Sequence, residues 1–187
     1  GISSTYELIE IPGDTFHKDL PGLLGRYDGL NVTIPYKVDV IPFLDELSKE
    51  AVTIGAVNTI ARKKGRLMGF NTDYMGFSRT LDRIDCRMEG KDAVVLGHGG
   101  ASRAIIQCLF DRKAGAIHVI SRQPDKVDED FLSFAEKRNV KIESYDSLQE
   151  KGDRYLLVNA TPVGMYPKTG VSPLPSDIAA VFPRVVD

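Results

Sequence analysis

Two charged residues in the first half of the chain, Lys37 and Asp73, are of types that transfer and hold protons. Lys37 ends the segment NVTIPYK, where Pro35 follows a short strand and the pattern predicts the first turn of a helix. A cation there faces the positive end of the helix dipole, so its position predicts a use other than stability. Asp73 ends GFNTD, in the first turn of another predicted helix. If folding joins them, they can serve ketone reduction, which needs a hydride on carbon and a proton on oxygen. The plain alternatives are a solvated lysine and a carboxylate stabilised by a helix dipole.

A glycine-rich turn in the second half could bind phosphate. The segment VVLGHGGASRA, residues 94–104, places Gly97, Gly99 and Gly100 between an apolar strand and a helix. Glycines there let the backbone approach a pyrophosphate, which then lies on the N–H groups of the following helix. The spacing departs from G-x-G-x-x-G, but its position after a strand and before a helix favours dinucleotide binding over a purely structural turn.

The end of the next strand indicates which dinucleotide would be preferred. An NAD site usually has an acidic residue there for the ribose 2′-OH, whereas a 2′-phosphate calls for arginine. This strand ends VISRQ, with Ser121, Arg122 and Gln123 and no acid. A guanidinium suits a phosphate. The pattern therefore predicts NADP, and the alternative is a solvated surface arginine.

The elements that must position these residues differ between the two halves. In the first half, a strand, helix and strand at residues 5–11, 14–27 and 29–33 predict a β-α-β unit. There follow two helical pieces with a kink or restart at Pro42, a hairpin turning at Gly65, and a helix capped by Asn71 or Thr72.

In the second half, strands alternate with helices, which predicts a doubly wound parallel sheet. The predicted order is a strand at 93–97, a helix to Gly115, a strand at 116–121, a helix at 124–139 with Pro124 in its first turn, and strands at 140–145 and 154–161. The polar stretch DCRMEGKD, residues 85–92, is the candidate domain boundary. We expect an α/β fold with domains at 1–84 and 88–187 and a cleft between them.

Composition narrows the class of function. The 187 residues carry a formal net charge of −2, which gives no basic footprint for nucleic acid. No apolar run approaches membrane-spanning length, and the N-terminal residues do not resemble a signal peptide. Cys86 and Cys108 have neither metal-ligand spacing nor the density of a disulfide scaffold, so we expect plain thiols, a cytoplasmic location and no metal site.

Several segments together resemble the shikimate dehydrogenase family, in the same order and at similar spacing. They are NVTIPYK, GAVNT at 55–59, GFNTD, GHGGASRA, the strand-end SRQ and NATPVGM at 159–165. The resemblance implies an N-terminal α/β substrate domain, a Rossmann-like NADP-binding domain, and NADPH-dependent reduction of 3-dehydroshikimate to shikimate in aromatic amino acid biosynthesis.

The resemblance also implies roles for individual residues. Lys37 and Asp73 match the catalytic pair, and Thr33 and Asn58 join them as substrate-binding positions. Thr161 lies in a loop that borders the cofactor. The remaining matches are cofactor-binding positions: Gly97, His98, Gly99, Gly100, Ala101, Ser121, Arg122, Gln123 and Lys126.

The sequence departs from the family pattern at its ends and in the cofactor segments. The family begins with a strand and a Ser-x-Ser motif that this chain lacks, and it continues beyond RVVD into a nicotinamide-side loop and closing helices. We therefore expect a fragment truncated at both ends. Ser121 and Gln123 replace the more usual Asn and Thr, and His98 replaces a small residue.

Alternatives to a shikimate-specific enzyme remain open at this stage. One is a quinate/shikimate dehydrogenase of dual specificity, because the distinguishing contacts are subtle. Another is a non-catalytic module that senses metabolites on the same fold, although a pure binding module has no need of a proton donor. A small-molecule substrate is the expected partner, with a homodimer or fusion to another pathway domain also open.

Overall fold

The computed structural model describes residues 3–149 and 154–187 and contains two β-sheets. The α-helices are α1 (Phe16–Arg26), α2 (Lys49–Ile54), α3 (Asp73–Arg83), α4 (Gly100–Asp111), α5 (Glu129–Glu136) and α6 (Ser176–Ala179). The strands are β1 (Gly29–Asn31), β2 (Glu46–Leu47), β3 (Thr59–Lys63), β4 (Arg66–Phe70), β5 (Asp92–Leu96), β6 (Ile117–Ile120), β7 (Val140–Glu143), β8 (Arg154–Asn159) and β9 (Arg184–Val186).

The first sheet is mixed and has the order β1-β3-β4-β2. β3 and β4 form the predicted hairpin, with Gly65 at its turn in the left-handed conformation. The hydrophobic core of this half of the chain lies between the mixed sheet and α1. Phe16, Leu20 and Leu24 of α1 pack there against residues that include Val40 and Ile60. These three residues follow the four-residue spacing that places side chains on one side of a helix.

The predicted β-α-β unit at the start of the chain is wrong. Residues 5–11 form no strand among the described residues, and Tyr6 and Leu8 are largely exposed. An extended segment becomes a strand only when its backbone groups pair with a neighbour, and this one has no such partner in the described ranges. β1 is real but shorter than predicted, and it pairs antiparallel with β3.

The helix predicted to start at Pro35 is also wrong. Residues 34–40 form successive turns, a 3-10 helix follows at Ile41–Phe43, and only α2 at the end of this segment is an α-helix. The backbone N–H of Tyr36 bonds to the carbonyl of Thr33, and that of Val40 to the carbonyl of Tyr36. Because no helix begins there, the dipole argument for Lys37 fails, and its environment depends on tertiary contacts.

The second sheet is parallel throughout, with the order β7-β6-β5-β8-β9. One side of the sheet packs against α4 and α5, and the other packs against Leu148, Leu174 and Phe182. This arrangement confirms the predicted doubly wound α/β fold. The helix predicted from Pro124 is wrong at its start, because Asp128 has an extended backbone and its carboxylate caps α5 by accepting from the N–H of Phe131 at 2.8 Å.

Helix α3 connects the two sheets and packs mainly against α4. Its Phe77 and Leu81, together with Cys86 and Met88 from the following segment, lie in the core on one side of the parallel sheet. The polar stretch after α3 therefore contains two buried anchors. The division into domains at 1–84 and 88–187 stays a prediction.

Candidate active site

Lys37 and Asp73 lie in direct contact. The ammonium Nζ of Lys37 is 2.5 Å from Oδ2 of Asp73, and the lysine residue is only 9% exposed. A buried ammonium needs a charged or hydrogen-bonding partner because leaving water is costly. The turns at 34–40 place Lys37, and the start of α3 places Asp73, so two segments that are 36 residues apart form one ion pair.

A group of amide side chains fixes the carboxylate of Asp73. Asn58 donates from Nδ2 to the second oxygen, Oδ1 of Asp73, at 2.7 Å, and its own Oδ1 accepts from the N–H of Thr72 at 2.9 Å. Asn71 caps α3 by accepting from the N–H groups of Asp73 and Tyr74. Both carboxylate oxygens of Asp73 are therefore held. Of the two capping residues that the sequence predicts, Asn71 and Thr72, it is Asn71 whose side chain caps α3.

The glycine turn lies against Lys37. A Cβ built on Gly100 would lie 2.7 Å from Cβ of Lys37, which is closer than real Cβ contacts, so only glycine allows this approach. Gly97 has a φ of +93° and lies beside Thr161, whose Cγ2 would be 3.0 Å from an added Cβ. A Cβ on Gly99 would meet nothing within 4 Å, so the turn is open to a ligand on that side.

This turn lies at the point where the order of the parallel sheet reverses. β5 leads through the turn into α4, while the adjacent β8 leads into the loop that contains Thr161. Ligands of open α/β sheets bind in the crevice at such a point, outside the carboxyl ends of the strands. No side chain in the described part of the chain caps α4, so the first N–H groups of this helix are available to an anion.

The end of β6 presents exposed polar groups beside this crevice. Ser121 is buried and its Oγ accepts from the N–H of Gln123 at 3.1 Å, while Arg122, Gln123 and Lys126 are exposed. Burial raises the pKa of Tyr145, and the positive charge of Arg122 opposes that rise. Among the described residues, the guanidinium of Arg122 makes no side-chain hydrogen bond or ion pair, and it lies exposed just after the end of β6.

The other predicted site residues have plainer surroundings. His98 is half-buried and packs edge-on against Phe131, with ring centroids 5.7 Å apart, and Ala101 lies in the first turn of α4. Thr33 is exposed, four residues before Lys37. Within residues 3–149 and 154–187, no group of His, Cys, Asp or Glu could hold a metal ion, and no helix has the length and apolar character needed to cross a membrane.

Sequence reasoning missed a set of polar residues beside Asp73. Tyr74 follows Asp73 directly and bonds to Asp111 at the end of α4. Gln107 and Arg103 precede Asp111 at intervals of four residues, on a helix that is otherwise largely apolar and buried. That spacing was visible in the sequence as a polar stripe on one side of a buried helix.

The fold and the geometry of the glycine turn define a class, the α/β proteins with a Rossmann-like parallel sheet joined to a smaller mixed sheet. The family model of the shikimate dehydrogenase substrate binding domain matches residues 1–60. Shikimate dehydrogenase (NADP(+)) of Clostridium beijerinckii is 38% identical, over 100% of this chain and 67% of its own length. The chain belongs to the shikimate dehydrogenase family.

Two further comparisons agree with this assignment. Shikimate dehydrogenase (NADP(+)) of Clostridium perfringens strain 13 is 43% identical, over 85% of this chain. The crystal structure of a chorismate mutase/shikimate 5-dehydrogenase fusion protein from Clostridium acetobutylicum superposes with a TM-score of 0.82 and 40% identity, covering 100% of this chain and 66% of that one. The chain spans 57% of the length of the C. perfringens relative.

Proposed function

We propose that this chain carries the active site of an NADP-dependent shikimate dehydrogenase, which reduces 3-dehydroshikimate to shikimate in aromatic amino acid (chorismate) biosynthesis. The observation that carries the proposal is the Lys37–Asp73 pair at 2.5 Å, packed directly against Gly100 of the glycine turn. A proton donor and a phosphate-binding turn are thereby side by side, as reduction of a ketone by a dinucleotide requires.

The proposed role of Lys37 is to donate its proton to the substrate carbonyl oxygen. When bound, NADPH would supply a hydride for the carbonyl carbon. The Nζ–H bond of Lys37 breaks to give the carbonyl oxygen the proton that completes the hydroxyl, which leaves the lysine neutral. Asp73 orients the ammonium through Oδ2, and Asn58 holds the other carboxylate oxygen. In the reverse direction, neutral Lys37 accepts the hydroxyl proton of shikimate. Thr33 is proposed to bind the substrate from the exposed side.

The residues present fit a dinucleotide. Gly97 and Gly100 lie where any larger residue would collide with Thr161 and Lys37, and Gly99 leaves open space over the uncapped start of α4. Pyrophosphate is proposed to lie on the backbone of residues 97–101, including His98 and Ala101. Ser121, Arg122, Gln123 and Lys126 are proposed to hold the ribose 2′-phosphate, which accounts for a preference for NADP.

The alternatives are weaker for physical reasons. A metabolite-sensing module gains nothing from burying an ammonium, because a buried charge pair seldom stabilises a fold. Dual specificity for quinate is kept as the second candidate within the same chemistry. A homodimer, a cytoplasmic location and fusion to another pathway enzyme also stay proposals; the C. acetobutylicum relative is such a fusion.

The deciding experiment measures by absorbance the formation of NADPH, or of NADH where NAD is supplied, in the complete gene product that contains these residues. Shikimate with NADP should give turnover, quinate with NADP a lower kcat/KM, and shikimate with NAD a lower kcat/KM. Comparable values for quinate would favour the dual-specificity candidate. Binding of shikimate without turnover with either cofactor would favour the sensing module and refute the dehydrogenase.

A further inference from the structure

A polar stripe runs along α4, the helix that begins at the glycine turn. Arg103, Gln107 and Asp111 recur at intervals of four residues, which places them on one side of the helix. Arg103 and Gln107 are among the few buried polar residues of the chain that the structure describes. Buried polar groups require partners, and these residues have partners both along α4 and on other elements.

The C-terminal part of this stripe, Gln107 and Asp111, belongs to a continuous chain of hydrogen bonds, which we call the polar seam. Tyr74 donates from its hydroxyl to Oδ2 of Asp111 at 2.8 Å, and Gln107 donates from Nε2 to Oδ1 of Asp111 at 2.8 Å. Arg138 donates from Nε to Oε1 of Gln107 at 2.6 Å and from its NH2 group to the carbonyl of Thr53 at 2.7 Å. The polar seam therefore links α3, α4 and α2.

Tyr74 is well suited to hold its place in the polar seam. Its ring packs against a small apolar cluster of Ile54, Ala56 and Ala104, which come from both sides of the site. Burial and the hydrogen bond to Asp111 raise the pKa of Tyr74 to about 12. The hydroxyl therefore keeps its proton and donates it to the carboxylate throughout the range in which the enzyme would work.

The glycine turn and the polar seam lie at opposite ends of α4, and each adjoins one member of the Lys37–Asp73 pair: Gly100 packs against Lys37, and Tyr74 is the residue after Asp73. Lys37 lies against Gly100 at the start of α4, and Tyr74 reaches Asp111 at its end, about 16 Å away by the rise of an α-helix. The bonds of Asp73 to Lys37 and Asn58 fix the pair internally, and apolar packing holds α3 as a whole against α4. The contacts at the two ends of α4 add to this packing and set where the pair lies along the helix.

We propose that Tyr74 and Asp111 are positioning residues that hold the Lys37–Asp73 pair in register with the glycine turn. This inference rests on the proposed dehydrogenase function. Neither side chain need touch substrate or cofactor. Because the effectiveness of proton and hydride transfer depends on the geometry of the reacting atoms, loosening the bond should slow turnover more than it weakens binding.

The test replaces Tyr74 by phenylalanine, which keeps the ring in its apolar cluster, and Asp111 by alanine, in the complete gene product. Each variant should lower kcat about tenfold, with the dissociation constant of NADP and the KM for shikimate changed less than twofold. The double variant should be no slower than either single one, because both remove the same bond. Asp82→Ala is the matched control, since it removes the Asp82–Arg112 contact of 2.7 Å at the far end of α3.

A second measurement does not depend on activity. Hydrogen exchange of the backbone amides at residues 73–77 and 97–101 should be faster in Tyr74→Phe than in wild type, and unchanged there in Asp82→Ala. If wild type does not turn over shikimate, the proposed function fails while the exchange rates still decide the positioning role. The inference would be overturned if Tyr74→Phe had the same kcat and the same exchange rates as wild type. It would also be overturned if Asp82→Ala changed kcat and the exchange rates as much as Tyr74→Phe does.

Discussion

At the scale of single residues, Lys37 has an environment that a structural lysine rarely has. It is almost fully buried, its ammonium contacts one carboxylate, and its stem lies against glycine. An ion pair of this kind adds little to stability because desolvation of both charges offsets their attraction. The proposed proton transfer would give this position a use that folding does not.

Replacing Lys37 by methionine should therefore lower kcat by about 10²–10⁴-fold, the usual contribution of a positioned proton donor. The KM for shikimate should stay nearly unchanged, because the lost interaction is made mainly in the transition state. Lys18→Met on the exposed side of α1 is the control and should keep full activity. An unchanged kcat together with a lower melting temperature would mean that Lys37 is only structural.

The second prediction at this scale concerns Arg122 and the preference for NADP over NAD. Its guanidinium is exposed at the end of β6, free to meet a phosphate. Arg122→Ala should weaken NADP binding by about 1.5–3 kcal/mol, the value of a hydrogen bond to a charged group, and leave NAD binding nearly unchanged. Titration of both cofactors against wild type and the exposed control Arg79→Ala checks this. Equal weakening of NADP and NAD would show that Arg122 does not bind the 2′-phosphate.

At the scale of elements, α4 organises the candidate site. Its start carries the glycine turn, its buried side completes the core of the parallel sheet, and its polar stripe reaches α3 and Arg138, two residues after the end of α5. A helix with contacts at several points along its length has a well-defined position, so it can hold the site residues in a fixed geometry.

The close approach of Gly100 to Lys37 gives a prediction for this element. Gly100→Ala should displace the lysine or the start of α4, because the new methyl group would lie 2.7 Å from Cβ of Lys37. We expect at least a tenfold loss of kcat, as for other small displacements of reacting groups, with weaker NADP binding. Gly25→Ala in α1, where a methyl group meets nothing within 4 Å, should be neutral in activity. Full activity of Gly100→Ala would show that the turn can relax without harm.

At the scale of the whole molecule, a partly buried polar cluster links strands of the parallel sheet. Glu143 at the end of β7 contacts His118 Nδ1 at 2.8 Å and Arg154 at 3.6 Å. Burial by itself would raise the pKa of Glu143, but the hydrogen bond with His118 and the charges of His118 and Arg154 lower it below its ordinary value.

A carboxylate with a lowered pKa in the folded state stabilises the fold above its unfolded-state pKa, and this contribution is lost as the pH falls through the folded-state value. Glu143→Gln should therefore be less stable than wild type near neutral pH, and the difference in unfolding free energy should shrink in acid below the ordinary range of a glutamate. Urea unfolding at a series of pH values tests this. Glu89→Gln, at an exposed ion pair, should show a small difference at all pH values, and a constant large difference for Glu143→Gln would contradict the assignment.

Also at this scale, the errors in sequence interpretation have a common cause. Residues 5–11 alternate like a strand, and Pro35 stands where a helix could begin, yet neither element forms. Local patterns describe what a segment can adopt, whereas a strand needs a partner and a helix needs a side to bury. The hairpin, α3, α4 and the core strands of the parallel sheet were predictable because their patterns are regular and their packing agrees with them.

Residue type and short spacing were enough to predict the α/β class, the glycine turn, and Lys37, Asp73 and Arg122 as candidate site residues. They could not predict that Lys37 is buried against Gly100, that Asn58 and Asn71 fix Asp73, or that Tyr74 bonds to Asp111 at the end of α4. Those contacts link residues that are far apart in the chain, and their distances follow from the packing of α3 on α4, which no local pattern encodes.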